Sequence, residues 1–169
     1  MKKLIAFLLV AAMMLCFAAC DTPETPENPG NDKEPVQDSY TFTYKGTKIA
    51  LNAPADAVVT ALGEPMEYTE SPSCAFDGLD KRYRYDSFYL ETYPLNGKDY
   101  VYGWWFIDDL VETDEGICIG STKAEVDTAY GAENFNGTNA YTMKKGSGML
   151  TIMLEDDVVT SIQYAITVQ

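Results

Sequence analysis

The chain has 169 residues, with 26 Asp and Glu against 12 Lys and Arg, a formal net charge of −14 and no histidine. So acidic a chain excludes nucleic acid and anionic lipid surfaces as electrostatic partners, and the lack of imidazole excludes histidine metal sites and histidine-dependent catalytic triads.

The first element is "MKKLIAFLLVAAMMLCFAACD". Lys2 and Lys3 precede an apolar run from Leu4 to Phe17, too short for a comfortable membrane span, and Ala18 and Ala19 stand before Cys20. This layout reads as a secretory signal over residues 1–19, and it resembles a bacterial lipoprotein signal. The resemblance implies cleavage before Cys20 and acylation of its thiol, with Phe17 departing from the usual aliphatic residue. An ordinary cleaved signal with a released protein is the alternative. Without Lys2 and Lys3 the net charge becomes −16. Residues 20–39 then read as a lipidated cysteine and a disordered acidic tether. Between 21 and 39 lie four prolines and six acids, and Val36 is the one large apolar residue, too little apolar surface to offset the entropy of ordering. Its root-mean-square reach is at least about 25 Å. The expected location is extracytoplasmic, with the lipid holding the chain to the bacterial cell membrane.

Residues 40–169 are expected to form one α+β domain of two tandem repeats, about 40–108 and 109–169. "IALNAPADAVVTALG" (49–63) and "ICIGSTKAEVDTAYG" (117–131) align without a gap. In each, an alternating strand end leads into a short helix. Val58, Ala61 and Leu62 form an apolar helical stripe in the first, and Val126, Ala129 and Tyr130 form its counterpart. Thr122 with Glu125 is a capping box, Gly63 and Gly131 sit where a left-handed C-cap is wanted, and Pro65 bars continuation of the first helix. Strands follow each helix. "RYRYDSFYLETYP" and "DYVYGWWFID" alternate around an Asn96-Gly97 hairpin signal, while "MLTIMLE" and "VVTSIQYAITV" flank Asp156-Asp157. The expected architecture is a short helical segment packed on one face of an antiparallel β-sheet, twice.

"IGSTKAEVDTAYG" followed by "TIMLEDDVVTSIQY" resembles the repeat of the β-lactamase-inhibitory-protein-like proteins, and is similar to the SmpA/OmlA (BamE-like) lipoproteins. The likeness is strongest over 117–164, and the first copy departs from it at Asn52-Ala53-Pro54. The resemblance implies a tandem helix-on-sheet fold and non-enzymatic protein binding.

Residues 83–106 hold ten of the 21 aromatic side chains, which makes this hairpin the place to look for a surface. With a period of two, Phe88, Leu90, Val101, Trp105 and Ile107 are expected on the core face. Tyr83, Tyr85, Tyr89, Tyr93, Tyr100, Tyr102, Trp104 and Phe106 are expected on the opposite face as a binding platform, because Tyr and Trp give large contact area at low entropy cost. A bulge at Gly103 would swap the faces beyond it. The second copy has Ser161, Gln163, Ala165 and Thr167 at the corresponding positions, with no such platform.

Cys74 and Cys118 are an even pair in an exported chain, open to a disulfide and equally compatible with two buried free thiols. The acids from Asp108 to Glu115 lack the spaced ligand loop of a calcium site and read as a solvated linker. No cofactor or metal is expected. The functional expectation is a non-enzymatic binding domain that takes an envelope or extracellular protein on its aromatic sheet face. A carbohydrate- or cell-wall-binding module is the alternative, with glycan stacked on Trp104 beside Asp108 or Glu91.

Overall fold

The computed structural model describes residues 38–167. The signal segment, Cys20 and nearly all of the expected tether lie outside the described residues. The two last residues assigned to the tether already belong to the domain. Ser39 is buried and donates its hydroxyl to the Lys145 carbonyl at 2.9 Å, and Asp38 accepts from the Ser147 N–H.

The described chain is mostly β. Nine strands run β1 (Thr41–Tyr44), β2 (Thr47–Ala50), β3 (Glu67–Pro72), β4 (Leu79–Arg84), β5 (Phe88–Leu95), β6 (Lys98–Phe106), β7 (Ala140–Lys145), β8 (Gly148–Glu155) and β9 (Val158–Ile166). Two eight-residue helices, α1 (Ala55–Leu62) and α2 (Lys123–Tyr130), and a 3-10 turn at Ala132–Asn134 complete it. This corrects the α+β expectation. The strands of the two expected copies do not make two helix-covered sheets. They form one seven-stranded antiparallel sheet in the order β3-β4-β5-β6-β9-β8-β7, and β1 and β2 form a separate hairpin. Helices supply little of the cover: Ala55 and Val58 of α1 and Val126 of α2 are their buried side chains.

The helices lie where the ungapped repeat places them, and local chemistry explains why. The capping box of α2 is formed, with the Glu125 N–H donating to Thr122 Oγ1 at 3.3 Å and the Thr122 N–H donating to Glu125 Oε2 at 2.7 Å. Gly63 and Gly131 end the helices at φ of 81° and 85°, which glycine alone adopts without strain. Their ψ angles, −162° and 133°, are extended, so neither is the left-handed helical cap expected. Asn96 and Gly97 both have positive φ, as a two-residue hairpin turn matched to the strand twist requires.

The core lies between the inner face of the large sheet and the β1–β2 hairpin. Directly opposed residues in an antiparallel sheet share a face, so one inner row runs Tyr68, Tyr83, Leu90, Trp104, Tyr164, Leu150, Met143 across all seven strands. Phe42 of β1 lies on this face, its ring centroid 6.0 Å from Trp104, 5.2 Å from Phe88 and 5.0 Å from Phe106. Ile49 and Leu51 are fully buried beside it. The hairpin does the covering that the sequence assigned to helices.

Candidate functional site, an open sheet face and its cleft

Two backbone features decide which aromatics are presented. The first is a turn at Asp86-Ser87, closed by the Tyr85 N–H on the Phe88 carbonyl at 2.9 Å. It splits what reads as one strand into β4 and β5, so Tyr83 pairs with Leu90 and faces inward. The second is a bulge in β6. Glu91 pairs with Gly103 and Thr92 with Val101, which leaves Tyr102 as the extra residue. Val101 and Trp104 therefore both face the core although they are three residues apart. Up to Tyr102 the alternation follows the expected phase, and beyond it the phase is reversed.

The expected platform is therefore divided. Trp104 and Phe106 are core residues, 1% and 4% exposed. Tyr85 is buried and stacked on Phe88 at 5.2 Å. Burial pushes its phenol up to about 12, the charge of Tyr83 adding a smaller push. Tyr83 is partly exposed at the inner edge, against the ring of Tyr68 at 5.1 Å. Tyr93 and Tyr100 are on the outer side of their strands but buried. Tyr100 is bridged by Pro54. Tyr93 donates its hydroxyl to Asn52 Oδ1 at 3.0 Å and has the Phe76 ring 4.6 Å above it. Burial first, and then Tyr100, pushes the Tyr93 phenol up to about 12. Tyr89 and Tyr102 alone of the eight are both outward and partly exposed.

Trp105, assigned to the core by simple alternation, is the outward tryptophan. It stands in a row that runs Glu67, Arg84, Tyr89, Trp105, Gln163, Thr151, Thr142 across the sheet. No described element lies over this row: Tyr89, Trp105, Gln163 and Thr151 are all partly exposed. Arg82, in the neighbouring row, binds Glu91 through both Nε and Nη2 at 2.7 and 2.5 Å, and its guanidinium lies 4.9 Å from the Trp105 ring centroid and 5.6 Å from that of Tyr89. The glutamate holds the guanidinium beside both rings, which gives the open face a centre of one cation and two aromatic rings. The sequence marks no role for Arg82, and Trp105 is expected on the core face. The available signal was Gly103, because a glycine inside a strand marks a bulge or a close backbone approach.

At the end of the face nearest the β3–β4 loop lies a cleft of about 540 Å³, within the range of small-molecule sites. Its lining brings together the aromatic Tyr93 and Tyr102, the charged Asp80, Arg82 and Glu91, and loop residues 73–76, Cys74 and Phe76 among them. The loop is shaped by Ser73, whose hydroxyl accepts from the Phe76 N–H at 3.2 Å. Burial first, then the carboxylates of Glu91 and Asp80, raise the Tyr102 phenol above its ordinary value. Cys74 is exposed at this cleft and Cys118 is partly buried beside Ser121; both are free thiols, so the disulfide that the sequence left open is not formed. Among the described residues no cluster of Cys, Asp and Glu could hold a metal ion, and no helix is long and apolar enough to cross a membrane.

Fold and site together describe a β-sheet domain with one covered face and one that is open along the Tyr89–Trp105 row. Compared with known protein families, curated proteins and solved structures, the chain shows no significant match to any of them.

Proposed function

We propose that the protein is a lipoprotein anchored through Cys20 outside the cytoplasm, and that its open sheet face binds an envelope or extracellular protein without catalysis. The observation that carries the reading is the group of Arg82, Tyr89 and Trp105 on a part of the outer face that no described element covers. These three residue types dominate binding energy at protein interfaces, where a rigid, partly desolvated cluster forms the centre and a polar surround excludes water. Thr69, Gln163, Thr151 and Thr142 form such a surround on the same two rows. A sugar would need a free ring face for stacking, and Arg82 occupies one on both Trp105 and Tyr89, so protein is preferred to glycan. The likeness of the repeat to the β-lactamase-inhibitory-protein-like and SmpA/OmlA proteins points the same way. The signal layout around Cys20 supports the anchor.

The test immobilises the full chain and passes detergent-solubilised envelope from the source cell over it, beside a Tyr89→Ser, Trp105→Ser variant. A protein held by the wild type and released by the variant is the expected result. Polysaccharide that behaves this way would move the assignment to a glycan module. Equal retention by both forms would remove the open face as the site. For the anchor, Cys20→Ser is expected to shift the chain from the membrane to the soluble fraction, and an unchanged membrane fraction would refute acylation at Cys20.

A further inference from the structure

We infer that the cleft beside the open face is a binding site for an organic cation, an ammonium group carried on an apolar stem. Charge balance within the cleft is the argument. Five charged residues line it, and four of them have partners. Arg82 is paired with Glu91. Lys81 is paired with Asp99 at 2.5 Å, and Glu70 accepts from the Tyr68 hydroxyl at 2.5 Å; both contacts are made on the other side of the sheet. Asp80 is the fifth. It is partly exposed, it makes no side-chain hydrogen bond or ion pair with another described residue, and its charge adds to burial and Glu91 in raising the Tyr102 phenol of the same cleft. On the cleft side of the sheet Asp80 is therefore a carboxylate without a cationic partner among the described residues, and it lines the same space as Tyr93, Tyr102 and Phe76.

A carboxylate and aromatic faces around one space are the two attractions that an ammonium ion uses together, ion pairing and the ring quadrupole. An anion would meet Asp80 and find Arg82 already held by Glu91. A neutral apolar molecule would fit the rings and leave Asp80 to be desolvated without a partner, which is costly. The site does not use Trp105 or Tyr89; it shares with the protein-binding reading only Arg82, which Glu91 holds, and Asp80 is its own.

Cys74 at the cleft supplies the readout. The full chain is treated with iodoacetamide while n-pentylammonium, pentanol or pentanoate is titrated in, and alkylation of Cys74 and Cys118 is followed by mass spectrometry. Pentylammonium is expected to slow alkylation at Cys74 in a saturable way and to leave Cys118 unaffected. Pentanol and pentanoate are expected to do little at equal concentration. Asp80→Asn, which keeps the side-chain shape, is expected to weaken protection about tenfold, the size of a lost charge-assisted contact. Trp105→Ser is expected to leave it unchanged. Equal protection by pentanol would reduce the site to an apolar hole, and stronger protection by pentanoate would make Arg82 the reader. Full protection in Asp80→Asn would also overturn the proposal. The three-ligand comparison on the wild type decides the matter even where a variant folds poorly.

Discussion

Trp104 and Trp105 are chain neighbours that end on opposite faces of one sheet. Trp104 is stacked between Phe42 and Tyr164, with centroids 6.0 and 5.0 Å away, in a row covered by the β1–β2 hairpin. Trp105 lies in the next row, partly exposed, with Arg82 over it. The inner row is apolar or aromatic on all seven strands, whereas the outer row is charged or polar on five of them and aromatic on β5 and β6. An aromatic-rich strand is therefore not one feature with one purpose. Each ring takes its role from the element that lies, or does not lie, above it. The bulge at Tyr102 sets the phase for everything that follows.

The largest expected effect tests that contrast directly. Trp104→Ala removes a fully buried indole from the centre of the core and is expected to cost about 3–5 kcal/mol in urea unfolding. Trp104→Phe is expected to cost less, because the buried Nε1–H has no hydrogen-bond partner among the described residues to lose. Trp105→Ala gives up contact with Arg82 on a partly exposed surface and is expected to cost about 1 kcal/mol or less. Similar losses at the two tryptophans would mean that the outer face is covered after all.

Gly103 comes next, since it joins the halves in which the contrast is built. β6 meets β9 over three residue pairs, Gly103 with Ala165, Trp104 with Tyr164 and Trp105 with Gln163. At the other end of β6 the place of β9 is taken by Asn52 and Ala53, which exchange backbone bonds of 2.9 Å with Val101. A Cβ on Gly103 would lie 2.1 Å from the Tyr164 carbonyl oxygen, and neither backbone can move without opening the join. Gly103→Ala is expected to destabilise by about 1–3 kcal/mol. It should also change the near-ultraviolet circular dichroism of both tryptophans, since both flank the join. A variant as stable as the wild type would show that β6 and β9 are more loosely paired than the register indicates.

The legible parts of the fold are those with a local cause. The capping box at Thr122 and Glu125, the glycines at 63 and 131 and the Asn96-Gly97 turn each act within a few residues, and each lies where the sequence places it. The cover of the core was not legible in this way. Thr41–Ala50 is short, its turn is marked only by Lys45-Gly46, and only the three-dimensional meeting of Phe42 with Trp104 reveals its role. A helix stripe such as Val58, Ala61 and Leu62 looked like the better cover, yet of these Val58 alone is buried. The candidate site was legible as a region and illegible as a face. Period-two reading identified Phe88, Leu90, Tyr89 and Tyr102 correctly. Asp86-Ser87 cut one apparent strand in two, and one extra residue at Tyr102 exchanged Trp104 for Trp105. Asp and Ser are ordinary turn formers, but they occur on strand surfaces too, and their effect here depends on β4 and β5 pairing.

The smallest expected effect sharpens the contrast from the outer side. Arg82 and Glu91 are opposed across β4 and β5 and joined by two hydrogen bonds, with side chains 46% and 18% exposed. If the outer face is a free surface, this pair orders the guanidinium over Trp105 and adds little to the fold, because water and salt screen it. A double-mutant cycle of Arg82→Met and Glu91→Gln in urea is expected to give a coupling below about 1 kcal/mol, falling further in high salt. Trp105 fluorescence should shift in both single variants, as the cation over the ring is lost or released. A coupling of several kcal/mol that resists salt would place the pair in a desolvated interior. The outer face would then be part of the core of a larger assembly, and the distinction between Trp104 and Trp105 would be one of degree.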